Sequence, residues 1–348
     1  MNNWENILFL IFFCTLFTFL VRYLLIKNNF LLDNYIYSIH KNIYNKTKTF
    51  YGPPLCGGII IFFSLFLDNS FFFLNFFIFL FLIIGVLSDA NILVSPKIRI
   101  LLQIIVILPF VIFFNLKIID LRINFLNDFL QINLISIVFT VFCILVLVNG
   151  TNFIDGLNTL VLGYYIIVLL IILLLAAKFN FQLDQNIKFF LIILGVLFIF
   201  NFFQKIYLGD SGSYVVALMT SFFILNFVNS NKIISPYFIC LLLWYPAFEN
   251  LFSILRRVIL NLNTSNPDKQ HLHQLLFFFI LKKFKLTPVV ANTLSAIIIN
   301  FVNLSIFIIS FKFYSKTLNL VILLTLAILI YSIIYFLLRN LVFSKSSK

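Results

Sequence analysis

Eleven apolar runs follow one another along the chain, at roughly residues 6–26, 56–67, 71–87, 99–115, 132–148, 160–177, 188–203, 214–228, 234–255, 288–311 and 318–338. They limit what it can fold into more than any other feature. A hydrocarbon layer about 30 Å thick is crossed by about 20 helical residues, so runs of this length are spans or near-spans. Of the 348 residues 63 % are hydrophobic, 49 of them phenylalanine, and the mean hydropathy is +1.13. No soluble interior could hold that much apolar surface, so lipid is the solvent for most of it. In lipid the backbone must satisfy itself within helices or a closed barrel, and no short alternating segments favour a barrel. The expectation is an all-α polytopic integral membrane protein of about 10–11 transmembrane helices, with no separate soluble domain.

Charge then orients the bundle. With the N-terminus outside, seventeen of the 24 Lys and Arg residues fall in inner loops and seven in outer ones. That asymmetry predicts an N-out, C-in topology. The net charge of +13 follows from the same rule, and no basic stripe on a soluble face points to nucleic acid. The four cysteines, Cys14, Cys56, Cys143 and Cys240, lack metal or redox spacing and read as free thiols. The first run lacks a basic leader and a small-residue cleavage site, so it reads as a retained span.

The carboxylates check this topology independently. Asp68, Asp120, Asp128 and Asp184 fall in outer loops and read as solvated loop charges. Asp89, Asp155, Asp210 and Asp268 fall in four inner connections with a different context. "GVLSDANILVSPKIRILLQ" (85–103) puts Asp89 at a helix end, ahead of Lys97 and Arg99. "VNGTNFIDGLNTLVLG" (148–163) spaces Asn149, Asn152, Asp155 and Asn158 by three, which would stack amides and a carboxylate on one helix face or cap helix ends. "GDSGS" (209–213) opens a span; its Ser211 or Ser213 could cap that helix. Its glycines and the helix N-terminus suit an anion, and Asp210 suits a hard cation such as Mg²⁺.

"NPDKQHLHQLL" (266–276) carries His271 and His273 beside the Arg256-Arg257 pair. Spaced by two, the imidazoles diverge in regular structure and make poor joint zinc ligands, so phosphate contact is the better reading. His40, Lys41 and Lys48 lie in "SIHKNIYNKTKTFYGPPLCGG" (38–58), where positive-inside charge alone is an equal explanation. Glu249 is the deepest acid, about two turns before Arg256. One face thus collects acids for metal and base chemistry, amides for a polar group and cations for phosphates. That inventory suits a water-soluble diphosphate meeting a lipid-embedded acceptor. A secondary transporter of anionic solutes is the alternative, but its ionisable groups belong near mid-membrane.

The order of these motifs, from about residue 33 to 285, resembles the polyprenyl-phosphate N-acetylhexosamine-1-phosphate transferases, glycosyltransferase family 4, which includes phospho-N-acetylmuramoyl-pentapeptide transferase. The resemblance implies a single transmembrane catalytic domain over 1–348 in a bacterial inner membrane, with its active site on the cytoplasmic face. It implies transfer of a sugar-1-phosphate from a UDP-sugar to undecaprenyl or another polyprenyl phosphate with release of UMP, the first membrane step of a surface glycan pathway. A rarer UDP-deoxyamino sugar is the alternative donor, and a homodimer is a compatible assembly. Mg²⁺ is the implied cofactor, with Mn²⁺ as its chemical substitute. Catalytic roles then fall to Asp89, Asp155 and Asp210, with Asp210 and Asp89 as metal ligands. Substrate contacts fall to His40, Lys41, Lys48, Lys97, Asn152, Asn158, Arg256, Arg257, His271 and His273. The chain departs from the family in three places. Ser88 stands before Asp89 where the family has a second acid, Gln274 stands where a further histidine is usual, and Asn158-Thr159 replaces an Asp-Gly pair.

Overall fold

The computed structural model describes residues 3–34, 51–261 and 270–343. Its helices, in chain order, are α1 (Asn3–Lys27), α2 (Gly57–Leu65), α3 (Phe72–Asp89), α4 (Pro96–Phe113), α5 (Asn124–Leu130), α6 (Asn133–Ile154), α7 (Leu160–Phe179), α8 (Asn186–Phe202), α9 (Gly209–Ser230), α10 (Pro236–Ile259), α11 (Leu272–Phe284), α12 (Pro288–Lys312) and α13 (Thr317–Phe343). The described residues are 79 % helical, and the protein is an all-α polytopic membrane protein. Among the described residues nine helices are long and apolar enough to cross a membrane, and α8 is a shorter apolar helix of 17 residues. The run at 56–67 yields only the nine-residue α2, too short to cross alone at about 1.5 Å per residue.

Local chemistry explains the helix boundaries. Pro96, Pro236 and Pro288 open α4, α10 and α12, each preceded by Ser or Thr, where a missing N–H costs nothing and φ is already helical. Asn115, Asn180 and Lys285 follow α4, α7 and α11 with positive φ, the left-handed residue that closes many helices. Inside α10, Pro246 cannot donate to the carbonyl of Leu242. The Tyr164 hydroxyl from α7 donates to that carbonyl instead, at 2.8 Å.

Burial arranges the helices into shells. Within its span window α9 is 78 % buried, whereas α1 and α13 are 22 % buried, so α9 is central and the other two are peripheral. Small residues let neighbours close on α9. A Cβ on Gly85 of α3 would lie 2.2 Å from Ser211 Cα, and one on Gly58 of α2 would lie 2.6 Å from the Ser211 carbonyl carbon. Leu, Ile and Phe side chains stand exposed along the outer faces, among them Leu8, Phe73, Phe301 and Ile333, as lipid contact requires.

One element departs from the helical pattern. Strands β1 (Leu32–Asn34) and β2 (Tyr51–Pro54) pair antiparallel. Beyond β2 the chain runs beside the approach to α9. Tyr207 N–H donates to the Pro54 carbonyl at 2.9 Å, and the Tyr207 carbonyl accepts from Cys56 N–H at 3.2 Å. This Pro-Pro segment therefore walls one side of the GDSGS loop.

Candidate active site

The N-terminus of α9 is held from outside its own helix. Asp89, the last residue of α3, accepts from Asp210 N–H through Oδ1 at 2.8 Å and from Ser211 N–H through Oδ2 at 3.1 Å. A carboxylate on another helix thus caps amides that the sequence reading gave to Ser211 or Ser213. Ser213 Oγ donates instead to the Asp210 carbonyl at 3.1 Å. Gly209 takes φ +73°, and a Cβ there would lie 2.8 Å from Asp89 Oδ2. Only glycine allows the carboxylate this close to the turn.

This cap leaves the Asp210 side chain facing a cluster of donors. Its Oδ2 accepts from Ser88 Oγ at 2.5 Å and from Arg99 Nη1 at 3.0 Å, and Arg99 Nη1 also donates to Ser88 Oγ at 2.8 Å. Its Oδ1 accepts from Asn152 Nδ2 at 2.6 Å. Ser88, standing where a second acid was expected, therefore joins Asp210 to Arg99.

Asp89, Asn152, Asp155, Gly156, Asn158 and Asp210 line one cavity of 220 Å³, together with Leu55, Leu157, Asn201, Tyr207, Gly209 and Asn292. The spacing by three carries Asn152, Asp155 and Asn158 to this wall even though α6 ends at Ile154. Asn149 does not follow them, because its amide donates to Gln103 Oε1 at 2.8 Å. Asn292 Oδ1 accepts from Asn158 N–H at 2.8 Å, and Asn201 Oδ1 accepts from Thr159 N–H at 2.5 Å. These two asparagines fix the turn between α6 and α7, where Thr159 sits at φ +65°.

The remaining sequence candidates divide. Lys97 is exposed in the first turn of α4, two residues before Arg99. Arg256 is buried and spans a loop: Nη1 donates to the Gln270 carbonyl at 2.6 Å and to the Tyr335 hydroxyl, and Nη2 donates to Ser253 Oγ at 3.3 Å. Arg257 beside it is partly buried. His271 and His273 are buried and, unlike the divergent pair their spacing predicts, stack with ring centres 5.6 Å apart at 11°. His271 lies outside the helix, just before Leu272, so helical or strand geometry does not apply to it. The pair stands behind the Asp155-Gly156 turn, since a Cβ on Gly156 would lie 2.3 Å from His273 Nε2. His40, Lys41 and Lys48 lie outside the described residues.

Among the described residues no three His, Cys, Asp or Glu side chains form a metal cluster. The cavity nonetheless fits a hard cation. Mg²⁺ takes one or two carboxylates and completes its shell with water and phosphate oxygens. Each Asp89 oxygen accepts one amide and Asp210 Oδ1 accepts one, so each keeps accepting capacity, and both carboxylates line the cavity. Sequence reasoning missed Ser88 and Arg99 as partners of Asp210, and Tyr207, Asn201 and Asn292 as cavity walls. Only Arg99 carried a signal, as the conspicuous cation two residues past Lys97.

Comparison with known proteins converges on the same stretch. The model of glycosyl transferase family 4 matches residues 71–228. A probable undecaprenyl-phosphate N-acetylglucosaminyl 1-phosphate transferase of Bacillus subtilis is 29 % identical over 204 residues, covering 57 % of this chain and 55 % of its own length. The decaprenyl-phosphate N-acetylglucosaminephosphotransferase of Mycobacterium leprae is 28 % identical over 160 residues, covering 40 % of each chain. Its counterpart in Mycolicibacterium smegmatis is 28 % identical over 160 residues, covering 40 % of this chain and 39 % of its own length. The chain thus spans about half the length of the curated relatives it matches, or less. Residues 71–228, which carry Asp89, Asn152, Asp155 and Asp210 to one cavity, are the stretch in which this chain is similar to glycosyl transferase family 4.

Proposed function

We propose that the protein transfers N-acetylhexosamine-1-phosphate from a UDP-sugar to a polyprenyl phosphate, in a bacterial inner membrane and on its cytoplasmic face. One observation carries this reading. Three carboxylates from different connections, Asp89, Asp155 and Asp210, line a single polar cavity at one end of an apolar bundle. A phosphate oxygen of the lipid attacks the phosphorus bearing the sugar, the bond to the other phosphorus breaks, and UMP leaves with those electrons. Little covalent help is needed, so positioning and charge neutralisation dominate.

Bound between Asp210 and Asp89, Mg²⁺ would neutralise the diphosphate and polarise its oxygens. The chain's own groups do the rest. Asn152 holds Asp210 in place through its amide. Arg99, already on Asp210 at 3.0 Å, is placed to move onto a phosphate oxygen when one arrives, because its planar fork suits both partners. Asp155 faces the cavity as a base for the acceptor phosphate.

The acceptor's tail has a matching surface. An apolar groove of 410 Å³ runs between α6, α9 and α10 and includes Phe142, Leu147, Leu225 and Leu251. It reaches Leu147, about 7.5 Å along α6 from Asn152 at 1.5 Å per residue. A phosphate at the cavity and a chain in the groove would therefore fit one lipid.

The test is UMP release by purified protein given undecaprenyl phosphate, Mg²⁺ and a panel of UDP-N-acetylhexosamines and UDP-deoxyamino sugars. Release with one donor supports the reading and names the sugar. Silence across the panel contradicts it.

A further inference from the structure

Glu249 is a carboxylate that the cavity chemistry does not use. It sits in α10 three residues past Pro246 and is 1 % exposed. A carboxylate that deep persists as an anion only when donors surround it. Its Oε1 pairs with His271 Nδ1 at 2.9 Å and accepts from Leu272 N–H at 3.3 Å, and its Oε2 accepts from the Tyr331 hydroxyl at 2.6 Å. Three elements meet on this one side chain: α10, the start of α11, and α13.

From Glu249 a line of contacts leads to the cavity. His271 is packed on one side by Phe153, at 5.4 Å between ring centres, and stacks in parallel with His273. His273 Nε2 abuts the Gly156 backbone so closely that no Cβ would fit there. Gly156 and Asp155 are cavity wall. His271 thus lies stacked on His273, and the imidazole pair backs the Asp155-Gly156 turn. A histidine whose Nδ1–H is held by a carboxylate is fixed in tautomer and ring plane, as carboxylates do for catalytic and metal-bound histidines.

We propose that Glu249 is a positioning residue: it holds Nδ1–H of His271 and so locks the imidazole pair that backs the Asp155-Gly156 wall of the cavity. Its kinetic consequence rests on the phosphosugar-transfer reading. The polar cavity takes the water-soluble donor, whereas the acceptor is held mostly by its tail in the apolar groove, so a slack wall weakens donor binding more than acceptor binding.

The test has two arms. Protein labelled with ¹⁵N-histidine and held in nanodiscs has three histidines to observe, His40, His271 and His273, and His271→Asn assigns the central one. His271 is expected to carry a proton on Nδ1 in the parent protein and in Glu249→Gln, whose amide oxygen still accepts, and on Nε2 alone in Glu249→Leu. In kinetics, Glu249→Leu is expected to raise KM for the UDP-sugar about tenfold and to leave KM for polyprenyl phosphate within about twofold, with Glu249→Gln recovering most of the loss. A His271 ring protonated on Nε2 alone in the parent protein overturns the proposal, and that result needs no variant to fold. Equal changes in both KM values, or none in a folded Glu249→Leu protein, also overturn it. If the parent protein releases no UMP, the transfer reading fails, while the tautomer still decides whether Glu249 holds His271.

Discussion

The acids at the two ends of the bundle are satisfied in opposite ways. At the end where α3 begins and α4 and α7 finish, partners are local. Asp68 accepts from Ser70 N–H at 2.9 Å, Asp184 from Asn186 N–H at 2.9 Å, and Asp120 from Arg122 N–H at 2.7 Å, each two residues away. At the opposite end the partners are remote in sequence. Ser88 and Asp210 are 122 residues apart, Asn152 and Asp210 58, and Tyr331 and Glu249 82. A local turn caps a loop and needs nothing from the rest of the fold. A carboxylate such as Asp210, held from three other helices, has its partners only when those helices have packed together, and it is at that end that the polar cavity opens.

Substitutions sharpen the contrast. Asp210→Asn has the largest expected effect, with turnover falling about a thousandfold, because the proposed cation ligand and the partner of Arg99 go together. UMP release at saturating donor measures it. Asp89→Asn is expected to lower turnover about a hundredfold, because a neutral amide oxygen is a weaker cap for two backbone donors and would be a weaker ligand for the proposed cation. Gly156→Ala follows, at about tenfold in donor KM, since its new methyl would lie 2.3 Å from His273 Nε2 and push the turn off the imidazole pair. Ser88→Ala removes one neutral hydroxyl donor from Asp210, worth about 1 kcal/mol or a few-fold in rate. The local acids close the series. Asp68→Asn and Asp184→Asn keep an oxygen for the same turn and should stay within about twofold of the parent in activity, with the melting temperature unchanged. A hundredfold loss at either would erase the distinction between the two ends.

The same contrast explains what could be read in advance. Apolar runs needed only hydropathy, and ten of the eleven gave an apolar helix of 17 residues or more, because lipid imposes length and internal hydrogen bonding locally. The spacing of Asn152, Asp155 and Asn158 was legible, since three residues make roughly one turn. What Asp89 does was not legible, because its role as a cap depends on α3 ending beside α9. The fate of Arg256 was equally hidden: a basic pair at a helix end looks like a phosphate contact until Tyr335, 79 residues on, takes it up. Glu249 could be seen as a deep acid, but its partner Tyr331 sits in an apolar helix with no polar pattern to mark it. Strand β2 escaped notice because both its partner β1 and the Tyr207 segment beside it lie elsewhere in the sequence.

The most direct measurement follows the phosphorus. UDP-N-acetylglucosamine, or whichever donor releases UMP, is labelled with ³²P at the sugar-bearing phosphate and incubated with the protein, Mg²⁺ and undecaprenyl phosphate. Phosphosugar transfer at the Asp89–Asp155–Asp210 cavity predicts that the label enters the lipid phase with the parent protein and stays in water with Asp210→Asn. Label that remains in the aqueous phase with the parent protein, or that enters the lipid equally with Asp210→Asn, would contradict it.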